Sequence, residues 1–151
     1  MTDTYNIDEL VPHSGTMSLL TRVIGHGDDW LEAEVDITQA STFAETDGVP
    51  TWIGVEYLAQ AIAAFSGVQQ RKQAAAPKVG FLLGTRKYEV NKTFFNNGLT
   101  VKLRVERDMV GDNGLHVFNG FLTGPDGLQA TAKLSVFEPE NAQQYMKEKT
   151  S

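Results

Sequence analysis

Residues 49–67 read VPTWIGVEYLAQAIAAFSG. Trp52, Ile53, Val55, Leu58, Ala59, Ala61, Ile62, Ala63, Ala64 and Phe65 make this segment apolar almost all the way round a helix. Such a helix has to be covered on most of its sides, so a lone surface helix is excluded and other elements must wrap it. In its middle stands Glu56, and an uncompensated buried carboxylate is costly. Either the chain turns Glu56 to an edge that meets water, or a site uses it. The helix is expected over about Thr51 to Lys72, with Thr51 as N-cap, because its hydroxyl can accept a free N–H of the first turn.

The wrapping elements are strands. Met17 to His26 reads as the first, closed by the Gly27-Asp28-Asp29 turn, and Trp30 to Ile37 alternates apolar and polar as a half-buried strand does. Thr38 to Val49 is polar and irregular. After the helix, Pro77 ends a loop, and four strand-like segments follow: Val79 to Val90, Leu99 to Asp108, Leu115 to Thr123 and Leu128 to Phe137. In the second of these, Leu99, Val101, Leu103 and Val105 share one face, with Thr100, Lys102, Arg104 and Glu106 on the other. Glycine-rich turns at 111–114 and 124–127 join the last three. Ile7 to Val11 is a short helical or irregular lead-in broken by Pro12, and the polar tail from Glu138 is expected to fray. Two strands, one buried helix and four strands make an α+β arrangement, a curved antiparallel sheet wrapped around one long central helix.

At 151 residues with 41% hydrophobic content, one domain over residues 1–151 is expected. The 13 Lys and Arg against 19 Asp and Glu argue against a nucleic-acid-binding surface. There are no cysteines, which excludes disulfides, thiolate metal sites and a cysteine nucleophile and fits a reducing, cytoplasmic setting. No signal peptide is visible, and no run of about 18 apolar residues suggests a membrane span. Neither a three-histidine nor a histidine–carboxylate metal spacing occurs, and no cofactor is expected.

The element order together with GVEYLAQAIAAFSG resembles the hotdog fold. LVPHSGTMSLLTRV is similar to the N-terminal stretch of the FabA/FabZ 3-hydroxyacyl-carrier-protein dehydratases, and VEYLAQA to the start of their helix. KVGFLLGTRKYEVNKTFFNNGLTVKLRVERD follows their strand, turn and strand. PHSG-x-M and the W-x-G-x-E-Y-x-A-Q-A pattern point to the ApeP-like branch, the accessory dehydratase-like proteins of aryl polyene pathways. One departure stands out. The enzymes carry a catalytic histidine just before the helix, and STFAETDGVP, residues 41–50, contains none.

The resemblance implies removal of water from a 3-hydroxyacyl thioester bound to acyl-carrier protein, in fatty-acid or aryl-polyene-type biosynthesis. That reaction needs a base, an acid and a stabiliser of charge on the thioester oxygen. The resemblance makes Glu56 the carboxyl partner of the leaving hydroxyl, with a cap for first-turn N–H groups as its plain alternative. Gly54 would admit the substrate carbonyl and offer its N–H. His13 is the candidate base, or else a structural histidine behind Pro12; His26 and His116 read as surface or satisfied histidines. Gln60 either orients Glu56 or ties the helix to a neighbouring strand, and Trp52 serves in packing, dimer contact or substrate contact. Arg71, Lys72, Lys78, Arg86 and Lys87 could receive an acidic carrier protein, or form a solvated face. Two further readings stay open: an acyl thioesterase, and a partner subunit without its own base in a heterodimeric dehydratase. A homodimer or heterodimer with another hotdog protein is expected.

Overall fold

A computed structural model describes residues 19–38, 40, 41, 43–72, 81–111 and 113–137. The lead-in Ile7 to Val11, His13, Lys78 and the tail from Glu138 lie outside the described residues. The strands are β1 (Arg22–His26), β2 (Trp30–Asp36), β3 (Gly48–Pro50), β4 (Phe81–Val90), β5 (Phe94–Asn96), β6 (Thr100–Val110), β7 (Leu115–Thr123) and β8 (Gln129–Phe137). A 3₁₀ turn at Thr51–Ile53 runs into the helix α1, Gly54–Lys72.

Six strands form one antiparallel sheet in the order β1-β2-β6-β7-β8-β4, so β1 and β4 are its edges. Alternation decides which face is covered. Leu31, Ala33 and Val35 of β2, Val101, Leu103 and Val105 of β6, and Ala130, Ala132, Leu134 and Val136 of β8 are buried in the core beneath α1. From the helix, Tyr57, Leu58, Ala61, Ile62, Ala64, Phe65 and Val68 meet them. At Gly120 of β7 the helix side chains come close: a Cβ there would lie 2.8 Å from the end of the Leu58 side chain, which would have to shift to admit it. The opposite face of β1, β2 and β6 is polar. Arg22 pairs with Glu34 and Asp36, while Arg104 pairs with Glu32 and Glu106 and lies over the Trp30 ring at 4.6 Å. This is the hotdog architecture.

The structure corrects the expected elements in three places. β3 and β5 pair with each other in a separate two-stranded sheet, Val49 opposite Phe95, where only irregular chain was expected. At three residues each, they are too short to display a period. Thr51 does not cap the helix: Pro50 precedes the 3₁₀ turn, and the buried Thr51 hydroxyl donates to the carbonyls of Lys92 and Thr93 at 2.8 and 3.1 Å. Finally, α1 is not enclosed by its own chain. Trp52 and Glu56 are exposed, and Ala59, Ala63 and Ser66 are half-buried, along a stripe the sheet leaves open. Alanines on that stripe count as apolar in the sequence without being core. No helix among the described residues is long and apolar enough to cross a membrane.

Candidate active site

The start of α1 is held from three sides. The Thr51 N–H donates to Thr93 O at 3.0 Å, and its hydroxyl bonds to the same segment. Its carbonyl accepts the Tyr88 hydroxyl of β4 and the Gly54 N–H. Pro50 and Val49 are fixed by pairing with β5. The first turn of α1, which carries Glu56, therefore starts from a hydrogen-bonded junction of β3, β4 and β5.

Glu56 resolves the question posed by an apolar helix. It is exposed, on the open stripe, in the first turn of α1. The positive end of the helix favours a carboxylate there. Trp52, one turn earlier, is 66% exposed, and its ring centroid lies 6.4 Å from that of Phe43, with the planes tilted by 53°. Trp52 is thus neither core nor satisfied by packing within its own chain.

Gly54 and Gln60 both face the protein's own interior, and for Gln60 the structure favours the second of its two readings, a tie from the helix to the chain beside it. The Gly54 N–H is already bonded to Thr51 O, and an added Cβ would lie 2.3 Å from the Tyr88 hydroxyl oxygen and 2.7 Å from Leu122. Its lack of a side chain serves the packing of Tyr88 against the helix start. Gln60 is buried and accepts the Leu19 N–H at 2.7 Å, so it ties α1 to the chain entering β1. A residue four positions on is rotated by about 40° around a helix. That rotation carries Gln60 off the stripe of Glu56 and Ala59 and into the interior.

Arg86 and Lys87 are exposed on the edge strand β4, where the pairing with β8 is irregular between Arg86 and Glu89 and Lys87 has φ 54°. Arg71 and Lys72 close α1. His26 is buried at the end of β1, and the His116 ring stacks on Phe118 at 6.5 Å, consistent with structural roles. Two residues of this region were missed from the sequence. Phe43 had a signal, as the one aromatic residue in the polar stretch 38–48. Tyr88 had a weaker one, an aromatic between charged neighbours in RKYEV. Burial pushes the Tyr88 phenol up to about 12 and raises that of Tyr57 further, with Tyr88 adding to the second effect. A hollow of about 340 Å³ between β4 and β8, lined by Glu89, Val90, Asn91, Gln129, Ala130 and Thr131, contains none of these residues.

Comparison with known proteins places this geometry. A model of the ApeP-like family, described as ApeP dehydratase, matches residues 5–147. The dehydratase heterocomplex ApeI:P from Xenorhabdus doucetiae is similar in structure at 25% identity and TM-score 0.85, covering 96% of this chain and 97% of that one. A hypothetical thioesterase with coenzyme A from Streptococcus pneumoniae is 11% identical, with TM-score 0.59 and coverage of 77% and 83%. The Escherichia coli PaaI protein of the phenylacetic acid degradation operon is 9% identical, with TM-score 0.60 and coverage of 76% and 80%. The last two share the fold. No curated protein sequence matches.

Proposed function

Because the chain belongs to the ApeP-like dehydratase family, we propose that it acts as one subunit of a two-subunit dehydratase that removes water from a 3-hydroxyacyl thioester. The observation that carries this reading is the exposed Glu56, set at the first turn of α1 on the one helical stripe its own sheet leaves uncovered. A base takes the proton from the carbon next to the thioester carbonyl, and that C–H electron pair becomes the new C=C bond. The bond from the next carbon to its hydroxyl breaks. The Glu56 carboxyl hands that hydroxyl a proton, and water leaves. The positive end of α1, in the same turn, favours the charge that grows on the thioester oxygen.

His13 is the base of this chain in the reading offered here, since residues 41–50 contain no histidine. The heterocomplex relative supports a second hotdog subunit as the partner; in the reading offered here that subunit lies over the open stripe and could bring a histidine of its own. The carrier is an acyl-carrier protein, whose acidic surface suits the basic residues Arg71, Lys72, Lys78, Arg86 and Lys87. The setting is cytoplasmic biosynthesis of fatty-acid or aryl-polyene type. The thioesterase relatives share the fold at low identity and lend hydrolysis no specific support.

The test uses the full chain, alone and mixed with a hotdog partner, on a 3-hydroxyacyl thioester, following enoyl absorbance and free thiol. Enoyl product is expected. Glu56→Gln should keep the fold and lose about 10²- to 10⁴-fold in rate. His13→Ala should do the same if this chain supplies the base, and should leave the rate unchanged if the partner does. Release of thiol without enoyl product would overturn dehydration. A folded Glu56→Gln protein with full turnover would remove Glu56 from the mechanism.

A further inference from the structure

Three Asn-Gly pairs occur in the chain, at 97–98, 113–114 and 119–120, and the first two stand in the same tripeptide, Asn-Gly-Leu. In such a pair the backbone nitrogen of the glycine can attack the asparagine Cγ, since no Cβ on the glycine crowds its path. Attack depends on what holds that nitrogen and that carboxamide. Tertiary structure answers differently for each pair.

Asn119 and Gly120 lie inside β7, paired with β6 on one side and β8 on the other, and Gly120 is buried. Gly98 has φ 87° and donates its N–H to Ile37 O at 2.7 Å. The Asn97 carboxamide donates to Thr46 O at 3.3 Å, and its Oδ1 is buried away from any donor among the described residues. Gly114 has nearly the same φ, 89°, yet its N–H reaches only Gly111 O at 3.4 Å, a weak bond at that length. Asn113 is exposed, and its Oδ1 accepts the Leu115 N–H at 3.3 Å. That contact turns the carboxamide back over the peptide that follows it. It also aims a donor at the oxygen on which charge grows when the nitrogen adds, and it tightens as that charge builds.

We propose that Asn113, in the hairpin between β6 and β7, is a modification site at which the folded protein loses ammonia unaided. The Gly114 nitrogen gives its proton to hydroxide, and its electron pair forms a bond to Asn113 Cγ. The bond from Cγ to the amide nitrogen breaks, and ammonia leaves with a proton taken from water. Water then opens either carbonyl of the five-membered ring, giving aspartate or isoaspartate. One water is consumed, one ammonia is released, and nothing is oxidised. Either product adds a negative charge to a chain whose formal net charge is −6. Isoaspartate also lengthens the backbone of a hairpin closed by the Gly111 N–H bond to Leu115 O at 2.6 Å. It frees an α-carboxylate in an exposed turn, the group that a carboxyl-methylating repair enzyme takes. None of this rests on a reaction at Glu56.

The experiment holds the full-length protein at mildly alkaline pH, once folded and once in urea, and follows amide loss by mass spectrometry of tryptic peptides. Asn97 falls in peptide 93–102, and Asn113 and Asn119 fall in peptide 108–133, where fragment ions separate them. In the folded protein Asn113 should convert about 10-fold or more faster than Asn97 and Asn119, whose glycine nitrogens must first be released from the fold. In urea the rates at Asn97 and Asn113 should converge, because the tripeptides are identical. Isoaspartate at 113 should accept methyl groups from an isoaspartyl carboxyl methyltransferase. Asn113→Gln, whose side-chain carbonyl stands one carbon farther out, should remove the fast phase. Equal rates in the folded protein, or a folded Asn113 that stays intact while the urea sample converts, would overturn the assignment. So would an advantage of Asn113 that persists unchanged in urea, which would trace it to neighbours in sequence and not to the fold.

Discussion

A single oxygen, the carbonyl of Thr51, gathers the contacts that position Glu56. It accepts the Tyr88 hydroxyl and the Gly54 N–H, while the Thr51 hydroxyl grips the segment before β5. Tyr88→Phe removes one of these bonds at nearly constant shape and should cost about 1–2 kcal/mol in urea unfolding. The same residue sets an alkaline limit. A folded-state phenol pKa raised from about 10 to about 12 means that the folded protein keeps its proton after the unfolded chain has lost it. The associated stability is fully present below pH about 10 and falls as the pH rises toward about 12. Urea midpoints measured across that window should fall, and fall less steeply in Tyr88→Phe. An identical slope in the two proteins would detach the effect from Tyr88.

At the scale of elements, α1 is held to the sheet by its buried face and to the entering chain by Gln60. The fit is close where Gly120 lies under Leu58. Gln60→Ala leaves the Leu19 N–H without its acceptor and opens space in a buried position, so a loss of about 1–3 kcal/mol is expected. Denaturant unfolding checks the size. A substrate-contacting Gln60 would instead show lost turnover at unchanged stability. The N-terminal end of the helix, held by β3, β4 and β5, is independent of this tie. Thr51, Tyr88 and Gln60 thus divide the work: two set the direction of the first turn, and the third closes the flank.

For the whole molecule, two surfaces differ in kind. The outer face of β1, β2 and β6 carries the ion pairs of Arg22 and Arg104, which suits water, and pairs of that type add little stability. The other surface is the edge strand β4, where Leu83 is 60% exposed beside the exposed charges of Arg86, Lys87 and Glu89, and which has β8 as its one strand neighbour among the described residues. An open edge of this kind invites a further strand. A dimer or heterodimer at micromolar concentration is expected, with β4 at the contact. Leu83→Lys should shift light-scattering mass toward the monomer while leaving the melting temperature within a few degrees. Unchanged mass in that variant would put the contact elsewhere.

The long elements were legible in the sequence because their signals are local. The period-2 alternation of Leu31, Ala33 and Val35, or of Val101, Leu103 and Val105, depends only on neighbours along the chain, and so does the apolar run of α1. PHSG-x-M and the W-x-G-x-E-Y-x-A-Q-A pattern, both local, carried the resemblance to the family that the family model shows. What lay beyond the sequence depends on parts far apart in it. β3 and β5 exist only as each other's partners, Gln60 turns inward because Leu19 meets it there, and the Thr51 hydroxyl leaves the cap for carbonyls some forty residues away. Whether Glu56 is buried could not be read from its apolar neighbours at all. The sheet packs one face on one side of the helix, and only that packing decides which stripe of α1, with Glu56 on it, is left open.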